Sequence, residues 1–346
     1  MKENIKALNE SLQQAVENKE TYLIIPLLEK GLNAEVFNKD GNAPVHLSVL
    51  KEDINLLKYL IENKANLNLL NTYTKRSALM MAVQGNYEKA TSLLVKAGAD
   101  LDCQDVYKEA AIHVAVRYGY EEISKQLIKR KANLNIQNNK GWTPLIVAIR
   151  RGNKKICSWL VEEGTNLALE DQNGWQALTW AADLGHSSLV KMLINAGANI
   201  NHQDKKGRTA LMRAVKNEYT ETVFTLLMHN ADEKIQDIYG KTALDYAVER
   251  GAQESIKLLS LTENLKQKKE ENKKVVELQK EGVQEAFFDD DGKVFASAQE
   301  AKKHQIYQLK TDGKELYLTP VSLKKSNHLK KILKDVLLFN LKREKE

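Results

Sequence analysis

The chain has 346 residues, 42% hydrophobic and 28% charged, which is enough for two or three ordinary domains of a soluble globular protein. Its formal net charge of +6 comes without a dense Arg/Lys stripe, so charge alone does not point to nucleic acid. Two widely separated cysteines, Cys103 and Cys157, and four prolines exclude a disulfide framework, a CxxC pair and Pro-rich linkers.

The N-terminal stretch MKENIKALNESLQQAVENKE has no apolar core of signal-peptide length. No apolar run approaches the ~20 residues of a membrane span. A cytoplasmic protein is expected; export by a route without an N-terminal signal peptide would leave no mark in these residues. Residues 8–33 read as a degenerate helix pair, in which Leu27-Leu28-Glu-Lys-Gly31 closes the second helix. Pro26 inside that helix predicts a kink or a late start.

A small residue then recurs at Ser48, Ala82, Ala115, Ala148, Ala181, Ala214 and Ala247, with gaps of 34, 33, 33, 33, 33 and 33. Ala15 continues the series backwards. Similar hexapeptides surround each position, among them APVHLS from Ala43, AAIHVA from Ala110, TPLIVA from Thr143, QALTWA from Gln176, TALMRA from Thr209 and TALDYA from Thr242. Ahead of most lies an Asp/Asn-x-x-Gly turn, as at Asn138–Gly141, Asp171–Gly174, Asp204–Gly207 and Asp237–Gly240. Asp or Asn can bond its own backbone two residues on, and Gly supplies a positive φ. Lys75 and Lys108 stand where glycine is usual, and one residue is added near Asn71, so those turns are expected to be distorted. A second apolar helix follows each hexapeptide. A helix pair cannot bury both its faces alone, and stacking at least ~3 of them supplies the core.

These repeats resemble the ankyrin repeat, whose signature is T-P-L-H-x-A on a 33-residue period. Thr143-Pro144-Leu145 and Ala43-Pro44-Val45-His46 carry the likeness most plainly. The fold class that follows is all-α: an ankyrin solenoid of about eight units across residues 1–262, capped at both ends. His46 and His113 fall at the signature histidine, where a structural role is the default.

Composition shifts after Leu261. Residues 263–284 are expected to form a charged helical linker, and 285–346 a small α+β module. In that module Ala286–Phe288 and Lys293–Phe295 flank an acidic turn, Ile306–Leu309 and Leu316–Leu318 flank Asp312-Gly313, and helices are expected at 297–304 and 326–341. An EF-hand reading of Asp289-Asp-Asp-Gly292 fails, because positions one and twelve fall on Phe287 and Ala298, which offer no oxygen ligand. The last helix is amphipathic and basic. It either covers the module's sheet or contacts a membrane surface or a partner groove.

No histidine forms an i, i+4 pair with another His or Cys, no Ser/His/Asp or Cys/His set has local context, and no phosphate loop is visible. No metal, cofactor or enzymatic activity is expected. The ankyrin resemblance implies that ligands contact the turn tips and inner helices. In this chain those positions carry Tyr107, Arg117, Tyr118, Trp142, Arg150, Arg151, Trp175, Asp183, Leu184 and Arg208, a set rich in the residue types of binding hot spots. Trp142 and Trp175 occupy equivalent places one unit apart and are expected to form an exposed row. The bland alternative has each indole covering its own turn. A stacked row could also suit single-stranded nucleic acid, but no continuous basic groove accompanies it. The expected function is a monomeric protein-binding scaffold. The alternative is an adaptor whose C-terminal module adds membrane attachment or an unrecognised activity.

Overall fold

The computed structural model describes residues 2–261 and, beyond them, three short strands. The chain divides into two compact units, Met1–Ala252 and Gln253–Glu346.

The first unit is built from helix pairs: α1 (Lys2–Glu17) with α2 (Thr21–Leu28), α3 (Pro44–Leu50) with α4 (Ile54–Glu62), and α5 (Ala78–Gln84) with α6 (Glu88–Lys96). Then come α7 (Ala111–Tyr118) with α8 (Glu121–Lys129), α9 (Pro144–Arg150) with α10 (Lys154–Glu162), and α11 (Ala177–Asp183) with α12 (Ser187–Asn195). The series continues with α13 (Ala210–Lys216) and α14 (Thr220–Met228), and α15 (Ala243–Arg250) opens an eighth repeat. From α3 on, each first helix touches the first helix of the next repeat, and second helices form a parallel layer behind. The recurrent small residue explains the close first-helix layer. Ala82, Ala115, Ala148, Ala181, Ala214 and Ala247 are all fully buried, and Ser48 and Ala15 nearly so.

Each hexapeptide starts its helix for local reasons. Thr143 accepts the Ile146 amide as N-cap, and Pro144 follows at the first helical position. Ahead of it, Asn138 Oδ1 accepts the amides of Lys140 and Trp142, closing the turn. Neighbouring turn tips are joined through the backbone, as where the Asn139 amide donates to the Tyr107 carbonyl at 2.9 Å. Two turns depart less from this pattern than the sequence suggests. Lys108 adopts φ +55° and keeps the same hydrogen bond to Asp105 that glycine makes elsewhere. At Lys75 (φ +56°) the extra residue is absorbed by a wider turn, in which the Lys75 amide reaches the Asn71 carbonyl. Glycine matters more where the next repeat approaches. A Cβ on Gly141 (φ +75°) would stand 2.8 Å from the Asp171 Cα, whereas Gly240 (φ +74°) has nothing within 4 Å. Gly141→Ala is therefore expected to lose ~2–3 kcal/mol and Gly240→Ala only ~1 kcal/mol, the left-handed strain alone. Urea unfolding of the two variants checks this.

Of the two alternatives expected at Pro26, the first unit overturns the late start. Helix α2 runs through it and neither starts late nor ends there. The carbonyl that proline deprives of a donor is that of Tyr22, a residue 69% exposed, so water can take the vacant acceptor.

His46 and His113 hold the stack together. In each, Nδ1 accepts the amide of its own N-cap residue, Ala43 or Ala110. Each Nε2 meets a carbonyl of the following repeat, Arg76 at 3.2 Å or Trp142 at 3.0 Å. Both rings are fully buried, and burial pushes each pKa down to about 4. The folded state holds these imidazoles neutral, so it binds fewer protons than the unfolded chain between pH 6.5 and 4. Stability is full above the unfolded pKa and falls through that window, by on the order of 2–3 kcal/mol per histidine. Thermal melts from pH 7 down to pH 4 should show that loss, and His113→Gln should reduce it.

In the second unit, residues 253–261 are helical. Strands β1 (Phe287–Phe288), β2 (Val294–Phe295) and β3 (Tyr307–Gln308) form an antiparallel sheet in the order β2-β1-β3, with Phe287 opposite Phe295 and Gln308. The linker at 263–284, the strand at 316–318 and the helices at 297–304 and 326–341 lie outside the described residues. Among the described residues no helix is long and apolar enough to cross a membrane, and no group of three or more His, Cys, Asp or Glu is placed to hold a metal ion.

Candidate functional site

The residue just before each hexapeptide, at the turn, forms one column along the stack: Asn42, Arg76, Glu109, Trp142, Trp175, Arg208, Lys241. The fifth hexapeptide residue on the first helix forms a second column, and the last residues of that helix a third. Side chains link the first and third columns within a repeat. Arg76 bonds Gln84 at 2.5 Å, Glu109 pairs with Arg117, Arg150 lies over the Trp142 ring at 3.7 Å, and Lys241 pairs with Glu249 at 2.5 Å.

The turn column also reaches the Asp or Asn of the next turn, always 29 residues on. The contacts are Asn71 to Asn42, Arg76 to Asp105, Asn138 to Glu109, and the Trp175 indole to Asp204. The chemistry alternates sensibly. Where the next turn carries Asp, the preceding residue is a donor. Where it carries Asn, the preceding residue is an acceptor, as at Glu109.

Trp180, Arg213 and Tyr246 fill the second column in the later repeats. Each donates to the Asp of its own turn: Trp180 Nε1 to Asp171 at 3.1 Å, Arg213 to Asp204 at 2.8 Å, and Tyr246 Oη to Asp237 at 2.7 Å. Burial and the Asp237 contact push the Tyr246 phenol up to about 12, so it remains a donor. None of these three residues was singled out as a site residue from the sequence. The available signal was the hexapeptide position that the signature leaves free, where Leu, Met and Val give way to Trp, Arg and Tyr.

Trp142, Trp180 and Trp175 form one cluster. Trp180 meets Trp142 edge-on at 5.7 Å and Trp175 at 4.7 Å. Arg150 lies over both Trp142 and Trp180, and Arg213 covers Trp175 at 3.9 Å. The two turn indoles are thus half-buried and bridged by Trp180, not a free row. Their N–H groups also differ. Those of Trp175 and Trp180 are bound to aspartates, while that of Trp142 has no acceptor among the described residues.

The other expected site residues fall on this face with varied surroundings. Tyr107 is 57% exposed at a turn tip, and Tyr118, 52% exposed, stacks on Tyr120 at 5.5 Å. Arg117 is neutralised by buried Glu109. Arg208 shares Asp204 with Arg213. Asp183 accepts from Asn217 and lies 3.6 Å from Arg213, and Leu184 is half-buried at the end of α11. Arg151 is exposed. The cysteines differ from each other: Cys157 is fully buried, whereas Cys103 is only half-buried. Burial pushes their thiols up to about 12 and about 11, so neither is a nucleophile at neutral pH.

Family comparison matches ankyrin repeats in three copies, over residues 12–105, 112–204 and 185–271, and the chain belongs to the ankyrin-repeat family. An ankyrin repeat protein of Acanthamoeba polyphaga mimivirus is 35% identical over 86 residues, which is 25% of this chain and only 11% of that relative's length. Among solved structures, the ankyrin repeat domain of Bcl-3, a member of the IkappaB protein family, aligns with a TM-score of 0.58 and 26% identity, over 64% of this chain and 100% of that domain. Ankyrin repeats are in general non-enzymatic modules of protein–protein interaction.

Proposed function

We propose that this chain is a protein-binding scaffold that engages its partner on the face made by the turn tips and first helices, centred on Trp142, Arg150 and Trp180. One observation carries the reading. Arg150 is exposed, yet its guanidinium is held against two indoles, beside a Trp142 N–H that no acceptor among the described residues takes. A cation and an aromatic fixed in advance lose little freedom on binding, which is the character of a hot spot. Tyr107, Arg117, Tyr118, Arg151, Trp175, Asp183, Leu184 and Arg208 surround that centre.

The test is capture of the partner from the source cell on the immobilised full chain. Trp142→Ala with Arg150→Ala should reduce capture at least ~tenfold, since hot-spot losses reach ~2 kcal/mol or more, with the melting temperature little changed. Unchanged capture would move the site elsewhere. The same reading assigns folding and binding to residues 1–262. That fragment alone should show a helical circular dichroism spectrum and retain capture; a largely unstructured fragment would contradict it.

A further inference from the structure

Charge on this face is unevenly spent between Asn138 and Arg250. The two carboxylates in its columns are already taken: Glu249 by Lys241, and Asp183 by Arg213 and Asn217. The turn residues Asp171, Asp204 and Asp237 are buried and bonded to Trp180, Arg213 and Tyr246. By contrast Arg150, Arg151, Lys216 and Arg250 form no ion pair among the described residues. All four stand at the ends of first helices, on α9, α13 and α15 or directly after. The helix dipole favours cations there, but it does not account for the set, because the same places elsewhere hold Leu50, Gln84, Leu184 and Asn217 as well as Lys51 and Arg117, and Arg117 is paired with Glu109. The cations also crowd one another. Lys216 is held below its ordinary pKa by burial and then by Arg208, Arg213 and Arg250. Arg213 itself is 7% exposed with its Nε unpartnered.

We infer that the face between Asn138 and Arg250 takes an extended, acidic segment of a protein partner, with carboxylates set against Arg151, Lys216 and Arg250; this rests on the scaffold reading above. Neighbouring helices pack ~8–10 Å apart, and an extended chain rises ~3.3 Å per residue, so one repeat matches roughly three residues of such a segment. Arg151 and Lys216 are two repeats apart, and Lys216 and Arg250 one. The matching acids therefore recur at roughly six- and three-residue spacing, with an uncharged stretch opposite Asp183. A nucleic-acid strand fits less well. It carries a phosphate at every nucleotide and would set one against Asp183. Bases also need open aromatic faces, and Arg150 and Arg213 already cover those of Trp142 and Trp175.

The experiment measures fluorescence anisotropy of labelled probes with the full chain. One peptide has glutamates at roughly six- and three-residue spacing, a second has glutamine in their place, a third has the glutamates scrambled, and the fourth probe is oligothymidylate. The spaced peptide should bind at least ~tenfold more tightly than the glutamine and scrambled peptides and weaken as salt is added. Arg151→Glu with Arg250→Glu should remove that advantage without shifting the melting temperature, because both side chains are exposed. Equal binding of the spaced and glutamine peptides overturns the inference, as does equal binding by the reversed variant. Tighter binding of oligothymidylate also overturns it and assigns the cations to nucleic acid. The scaffold reading is separable. If Trp142→Ala with Arg150→Ala abolishes capture of the native partner while the reversed variant retains it, the acidic segment is wrong and the binding face stands. If neither variant alters capture, both fall.

Discussion

Trp175→Ala is expected to destabilise the protein by ~3 kcal/mol, and Trp142→Ala by ~1 kcal/mol or less, although the two occupy the same register position. The Trp175 ring fills the space between Trp180 and the buried Arg213, and its N–H donates to Asp204 at 3.1 Å. Its removal opens a cavity beside a buried cation whose Nε is already unpartnered, and large-to-small changes at such places cost ~3–5 kcal/mol when the site is core and somewhat less here, where the ring is half-buried. The Trp142 ring is contacted by Lys140, Arg150 and, edge-to-face, Trp180, and its N–H has no acceptor among the described residues. Trp175→Phe should recover most of the loss, since Asp204 keeps Arg208 and Arg213 as donors. Chemical denaturation of the three variants decides the matter; equal losses at 142 and 175 would mean that both indoles merely cover their own turns.

Asn138→Asp should be nearly as costly, ~3 kcal/mol at neutral pH, despite being isosteric and matching the aspartate of most other turns. Oδ1 would still accept the amides of Lys140 and Trp142. Nδ2, however, now donates to Glu109, and both residues are buried, at 6% and 5% exposure. The variant would set two buried carboxylates together, of which only Glu109 is paired with a cation, Arg117. The sign of the pH dependence follows. The crowded pair has a raised pKa in the folded state, so the folded variant binds more protons than the unfolded chain. The penalty is present at neutral pH and shrinks as the pH falls through the raised value towards ~4. Melts of variant and wild type at matched pH isolate this from the histidine effect, which acts on both. A difference that does not change with pH would refute the charge explanation.

The contrast between Trp142 and Trp175 shows where the sequence stops being readable. The repeats themselves were legible because a buried Ala every 33 residues and a capped first helix are local necessities, repeated often enough to align. The turn residues were legible as a column for the same reason. Their partners were not. Arg117 and Arg150 look alike in the sequence, yet the residue eight places earlier is Glu109 in one repeat and Trp142 in the other, so one cation is neutralised and the other stacked. Trp175 is anchored by Asp204, 29 residues on, whereas Asp171 takes the Trp180 N–H and not that of Trp142. Trp180, Arg213 and Tyr246 sit at the signature's free position, so the resemblance to ankyrin repeats drew attention away from them. Pro26 and Lys108 failed in the opposite direction: helix α2 continues through the proline, and a tolerated positive φ lets the turn at Lys108 keep its usual hydrogen bond.

A partner docked on the face of turn tips and first helices would shield the amides there. Amide hydrogen exchange of the full chain, free and bound to its captured partner, tests this docking most directly. Added protection is expected at the turns 139–142 and 172–175 and at the ends of α9 and α11, with the second helices α10 and α12 unchanged. Protection confined to those second helices, or to residues beyond 262, would contradict it.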